Sequence, residues 1–288
     1  MANAITHLSD IINPQVMGDM IGAKLPHMLK FTPFAKVDRS LEGVPGDTKT
    51  VPSWNFVGAA EDLAEGGELE TRKLTASTTS FTIKCAGISV GITQKSINSG
   101  MGDPVGTAES QLAKAIAVKV DADVLAALLT AEQSYDGSAS VIKYAGIVDA
   151  VGVLNEEEIT EKVLFVNPAQ VTALRKDSDF MDKNKYGNDV MVSGEIGMIA
   201  GCRIVPTLQV VKNGSGNYVC PLVKLEPASS ETEYTESELP AVTIFIKEDI
   251  EVSHEWLPKK QQHDITATEY YGAALTNASK VVLATFKG

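Results

Sequence analysis

The sequence predicts an α+β fold: a leading arm, a long two-stranded excursion, one long helix, then an α/β lobe. Three observations carry this reading. Residues Ser77 to Thr93 alternate apolar and polar like a strand, after a polar Gly-containing tip. From Leu112 onward, apolar residues recur at helical spacing. From about residue 140, short helical and strand patterns alternate, each bounded by turn residues.

Composition sets the bounds. The chain has 288 residues, 44% hydrophobic and 22% charged, ordinary for a folded protein. Aromatics make up only 6%, so Val, Ile, Leu and Ala must fill the core. The formal net charge of −12 disfavours a dedicated nucleic-acid binder, which needs a basic footprint. It is compatible with a container wall that faces a packed polyanion and must not stick to it. Residues Met1 to Asp10 lack the basic start and apolar run of a secretory signal. The most apolar helical stretch, Ile116 to Leu129, is broken by Lys119, Asp121 and Asp123, so no membrane contact is expected. Cys85, Cys202 and Cys220 are odd in number and far apart. They read as small buried hydrophobes, not as a disulfide framework or a metal knuckle.

The elements follow in order. In the arm, residues 1–35, Asn13-Pro14 opens a short helical stretch with Val16, Met17, Met20 and Ile21 at helical spacing. Pro26 and Pro33 break it, and so short a helix must lie against another surface. Residues 36–97 form the excursion. Thr48 to Val57 is extended, and Pro52 makes it an edge or irregular strand. The tip is acidic and carries Glu61, Asp62, Glu65, Glu68 and Glu70. Ser77 to Thr93 is expected as one long strand. Its apolar positions change parity at Ala86-Gly87, which implies a bulge that swaps the buried face. A two-stranded excursion is marginal alone in water, so it points to an interface.

The helix is expected over 103–133, with Asp103 as its cap and Pro104 in its first turn. Leu112, Ile116, Val120 and Val124 make its stripe, widened by Leu125, Leu128 and Leu129, and Asp136-Gly137 ends it. At that length it is a beam about 45 Å long. Beyond it come a helix over Ile147–Leu154, a buried strand Val163–Val166 and a helix opened by Asn167-Pro168. A turn then leads into a strand ending at Pro206, and Asn213-Gly214 turns a hairpin between Leu208–Val211 and Tyr218–Val223. Strands over Val242–Val252, Ile265–Tyr271 and Val281–Phe286 complete the chain.

A search for chemistry returns no active site, so catalytic residues, cofactor and metal are all expected to be none. Gly100-Met101-Gly102-Asp103-Pro104-Val105 puts a carboxylate and a proline where a phosphate would want free N–H donors. Neighbouring residues in a strand face opposite ways, so His254 and Glu255 cannot share a metal. His254 and His263 meet only if the fold brings them together, and they read as surface or hydrogen-bonded histidines. Asp121/Asp123 and Glu156-Glu157-Glu158 read as a polar helix face and a solvated loop.

Several stretches resemble the major capsid proteins of tailed bacteriophages, which have the Hong Kong 97-type fold. They are Ile12-Asn13-Pro14-Gln15-Val16-Met17, Phe34-Ala35-Lys36-Val37-Asp38, Leu41 to Thr48, and Val51-Pro52-Ser53-Trp54. Gly102-Asp103-Pro104-Val105, Phe165-Val166-Asn167-Pro168 and Ile199-Ala200-Gly201-Cys202 add to them. The chain is most similar in wording to the capsid group called after coliphage N-four. The resemblance implies a structural subunit that self-assembles into the icosahedral head enclosing double-stranded DNA. It implies an N-terminal arm over 1–35 and an extended loop over 36–97. A peripheral domain with its spine helix would take 98–135 and 247–275, and an axial domain 136–246 and 276–288. Partners would be identical copies in hexamers and pentamers, with scaffolding and portal proteins, assembled in the host cytoplasm. Val16, Met17 and Met20 of the arm, with Glu61, Asp62, Glu65, Glu68 and Glu70 of the tip, are the expected subunit-interface residues. The competing readings are an encapsulin-like compartment of the same fold and, further off, an α/β enzyme.

Overall fold

Two sheets are joined by one long helix in the computed structural model, which describes residues 29–54, 71, 73, 76–99, 103–156, 160–177, 198–225 and 239–288. The helix (α2, after a short α1 over Gln94–Ser99) runs from Pro104 to Leu128 and lies across a four-stranded sheet. That sheet has the order β1 (Lys36–Asp38), β10 (Val242–Leu257), β11 (Gln262–Leu275), β4 (Lys84–Thr93). Asp103 starts α2 by accepting hydrogen bonds from the amides of Val105 and Gly106, both at 3.1 Å. Leu112, Ile116, Val120, Val124, Leu125 and Leu128 are buried along one stripe, as the spacing requires. They meet Ile265, Ala267 and Tyr271, which alternate on β11 and are fully buried.

The helix is shorter than expected, 25 residues and about 37 Å long. Asp136-Gly137 does not end it. Those residues lie inside β5 (Ser134–Val141), where Gly137 is paired with Phe286. A Cβ there would come within 3.0 Å of the Thr285 carbonyl, so glycine serves close packing of strands and not a helix stop. Leu129, counted in the stripe, is exposed just past the end of the helix.

The long strand expected over Ser77–Thr93 is two strands, β3 (Ala76–Thr82) and β4, that part at Ile83. Opposite β11, β4 keeps an unbroken register from Lys84 to Thr93, so no bulge falls at Ala86-Gly87. The change of face happens three residues earlier. Phe81 stacks on Phe245, and Ile83 is buried beside Leu41 and Ala274, whereas Ala86, Val90 and Ile92 pack toward the helix. Cys85 misled the parity count: it is exposed, while Cys202 and Cys220 are buried as expected.

β3 pairs with β2 (Thr48–Trp54) in a two-stranded ribbon, with Thr48 opposite Thr82 and Trp54 opposite Ala76. Pro52 is tolerated because both ribbon strands are edges. The ribbon closes at its base, where the Ile83 amide donates to the Asp47 carbonyl at 2.8 Å. Within 36–97, therefore, β1 and β4 belong to the four-stranded sheet, while β2 and β3 make the ribbon.

The second sheet has six strands in the order β5, β12 (Val281–Lys287), β9 (Asn217–Lys224), β6 (Lys162–Val166), β8 (Cys202–Pro206), β7 (Met198–Ile199). All five residues of β6 are buried, as expected of an apolar run with neighbours on both sides. The helix expected over Ile147–Leu154 spans Tyr144–Gly152 (α3). The next, α4 (Pro168–Arg175), has a capping box in which Asn167 and Gln170 satisfy each other's amide ends. Ala200 and Gly201 turn β7 into β8 with positive φ. The Asn213 turn is present but looser than a two-residue hairpin. Its outgoing arm is β9, and its incoming side makes only a single bridge at Lys212 because Leu208 and Val211 are exposed, not paired. Among the described residues no helix is long and apolar enough to cross a membrane.

Candidate functional site at the root of the arm

The chain enters the described body through residues 30–35, the end of the expected arm, and one carboxylate holds it there. Asp121, fully buried on α2, accepts the amides of Phe31 and Thr32 at 2.8 Å, the amide of Lys30 at 3.1 Å and the Thr32 hydroxyl at 2.9 Å. Gln209, in the turn after β8, donates its side-chain amide at 2.9 Å. A buried anion is tolerable only with such a set of donors. On the other side Phe31 and Phe34 pack on Phe165 of β6, with ring centroids 4.4 and 5.5 Å apart. The arm root is thus wedged between the long helix and the six-stranded sheet. Beside it lies an apolar groove of about 700 Å³ lined by Lys30, Val118, Leu125, Pro168, Pro206 and Leu208.

Two residues further along, Asp123 faces the four-stranded sheet and ties it to the helix. It pairs with Lys84 at 2.7 Å and Lys119 at 2.9 Å, and accepts the hydroxyl of Tyr271. Burial pushes the Asp123 carboxyl up, but the hydrogen bonds from Lys84, Tyr271 and Lys119 outweigh it and hold it below the usual carboxylate range. Lys84 opens β4 at the base of the ribbon, so this network braces the ribbon as Asp121 braces the arm. A third carboxylate, Glu156, is treated in the same way. Burial raises it, and Lys162 at 2.5 Å, Lys224 at 3.0 Å and Thr160 bring it below its ordinary value.

These placements correct the polar-face reading of Asp121/Asp123. The pair is neither solvated nor acid/base machinery; each carboxylate is a clamp on a different element. A signal for Asp121 was available, since Leu125 and Leu128 stand four and seven residues further on the same stripe. Val16, Met17, Met20, Glu61, Asp62, Glu65, Glu68 and Glu70 lie outside the described residues. His254 and His263 do come together, across the β10–β11 hairpin, with ring nitrogens 2.7 Å apart. Among the described residues, no group of three or more His, Cys, Asp or Glu is arranged to hold a metal ion.

Comparison with known proteins agrees with this architecture. The profile of a family described as phage capsid protein matches residues 76–282. The chain is 36% identical over 209 residues to the major capsid protein of Staphylococcus phage phiMR11, covering 72% of this chain and 76% of that one. Among solved structures it is similar to the capsid of cyanophage Pam1, with TM-score 0.68 and 15% identity over 89% of this chain and 91% of that chain. The mature capsid of bacteriophage PhiM1 gives TM-score 0.68 and 10% identity over 89% and 86% of the two chains.

Proposed function

The chain belongs to the phage capsid protein family, and we infer from its geometry how it works as a structural subunit of the head shell. The family has the Hong Kong 97-type fold, and the α+β architecture here is of that kind. In our reading 98–135 and 247–275, the spine helix with most of β10 and β11, form the peripheral domain, to whose sheet β1 and β4 of 36–97 are added. The stretches 136–246 and 276–288, which hold nearly all of the six-stranded sheet, form the axial domain. Residues 1–35 and the ribbon within 36–97 are the parts offered to neighbouring copies in hexamers and pentamers. The arm's apolar stripe, Val16, Met17 and Met20, needs an apolar bed. The acidic tip, Glu61, Asp62, Glu65, Glu68 and Glu70, meets its contacts on a second copy.

The observation that carries this is the ribbon. Among the described residues neither ribbon strand has a second bonded neighbour, and such a pair is marginal in water and is completed by another surface. A closed shell repeats such contacts many times, so each can be weak. Double-stranded DNA fills the interior without sequence-specific binding, which suits a net charge of −12. Scaffolding and portal proteins supply size and vertex, assembly takes place in the host cytoplasm, and the chain itself catalyses nothing.

The test replaces residues 48–82 by a short turn, which the Asp47–Ile83 hydrogen bond makes sterically simple. Electron microscopy of the variant, alone and with a candidate scaffold, should show folded subunits and no closed shells. Shells of normal size from the ribbonless chain would overturn the reading.

A further inference from the structure

Strand β10 outruns β1. Beyond Ile246, among the described residues, it pairs with β11 alone, and Ile250, Val252 and Trp256 are exposed along this end. His254 stands opposite Ile265 and Trp256 opposite His263, so the two histidines are diagonal neighbours on one face of the hairpin. His254 Nε2 and His263 Nδ1 are 2.7 Å apart. The ring planes lie within 24° of each other and the centroids 4.8 Å apart. An approach that short between nitrogens is too close for ring faces in contact, so the rings meet edge to edge and the nitrogens converge.

Which nitrogen holds the proton is decided next door. His263 Nε2 is 2.8 Å from Oε1 of Gln94, at the start of α1. A carbonyl oxygen can only accept, so with Gln94 in this orientation His263 carries its proton on Nε2 and leaves a lone pair on Nδ1. That lone pair points at His254. Trp256 packs on the same ring with centroids 4.4 Å apart and limits its rotation. An imidazole with one nitrogen fixed by an outer hydrogen bond and the other exposed and aimed at a second imidazole is how metal-binding histidines are prepared.

We propose that His254 Nε2 and His263 Nδ1 form a two-ligand site for a late first-row divalent ion of the zinc, nickel or copper class. The ion takes the place of the proton between the rings; that proton moves through solvent to His254 Nδ1, so both imidazoles bind the ion in their neutral form. Two bonds of about 2.0–2.1 Å at a tetrahedral angle need nitrogens about 3.3 Å apart, so the pair opens slightly from its present spacing. His254 is exposed at the hairpin surface, which leaves it free to make that adjustment. Imidazole donors select against magnesium and calcium, which take oxygen ligands. Water completes the coordination, and the bound ion staples the far end of β10 to β11, which β4 holds on its other side. The site is built within one chain and does not depend on the assembly reading.

The experiment is isothermal titration of Zn2+ into the purified full chain, with circular dichroism to check each variant's fold. One ion per chain is expected, lost in both His254→Ala and His263→Ala and kept in a His7→Ala/His27→Ala double variant. Gln94→Ala should weaken binding by about 10–100-fold, because it frees the ring while leaving both ligands. In a Trp54→Phe background, Ni2+ should quench Trp256 fluorescence, and His263→Ala should abolish the quenching. Zn2+ uptake unchanged in either hairpin variant, no uptake at all, or equal uptake of Mg2+ would overturn the proposal.

Discussion

In the six-stranded sheet, β6 has a bonded strand on each side and buries every one of its five side chains; in the ribbon, each strand has a single bonded neighbour among the described residues. The sequences explain the contrast. β6 reads Lys-Val-Leu-Phe-Val, while β2 and β3 read Thr-Lys-Thr-Val-Pro-Ser-Trp and Ala-Ser-Thr-Thr-Ser-Phe-Thr. Threonine favours extended backbone but contributes little apolar area, so the ribbon's composition suits strand geometry while offering little apolar surface to bury. One region completes itself, and the other is shaped for completion from outside. The arm root and the ribbon base share a device, a carboxylate on the helix that clamps a segment leaving the body.

The sharpest way to break the comparison is a core truncation set against a ribbon change. Phe165→Ala should cost about 3–5 kcal/mol in denaturant unfolding of the unassembled chain, because it removes the ring that Phe31 and Phe34 pack on. Ser80→Ala, exposed on β3, should stay within about 0.5 kcal/mol. Equal costs would mean the ribbon is part of the cooperative body.

Next in size is the arm clamp. Asp121→Ala leaves buried amides of residues 30–32 without an acceptor and should cost about 3 kcal/mol. Amide hydrogen exchange at Phe31 and Thr32 should speed up before the six-stranded sheet is affected. If both regions loosen together, the root is not a separate joint.

A pH series probes the ribbon clamp. Asp123 and Glu156 both have folded-state pKa values below their unfolded ones. Their stabilisation is therefore fully present above the unfolded carboxylate range, about 4, and is lost as pH falls through the lower folded values. Thermal melts between about pH 2 and 6 should show this loss. Tyr271→Phe, which removes one hydrogen bond to Asp123, should make it shallower. An unchanged slope in Tyr271→Phe would remove Asp123 from the account.

The smallest effect is chemical. Burial pushes the Cys202 thiol up to about 11 and the Cys220 thiol up to about 12, while Cys85 is exposed on β4. A thiol reagent should label Cys85 alone in the native chain and all three cysteines in denaturant. Fast native labelling of Cys220 would show that the six-stranded sheet is less closed than β6 suggests.

Local chemistry made much of the fold legible in the sequence. The Asp103-Pro104 start and four-residue stripe of the long helix, the Asn167-Pro168 opening, the buried run at Val163–Val166 and the edge character around Pro52 all depend on residues within a turn or two of each other. Tertiary structure decided what distant partners control. Gly137 became a strand glycine because Phe286 runs beside it, and the change of face falls at Ile83 because there the chain leaves β2 for β11 as its pairing partner. Asp121 became the clamp on the arm because residues some ninety positions away supply its donors. His254 and His263 meet because the hairpin register sets them diagonally. Periodicity reports which side of an element is apolar; only the packed chain determines what stands opposite that side, and a buried charge or a paired ring is defined by its opposite number.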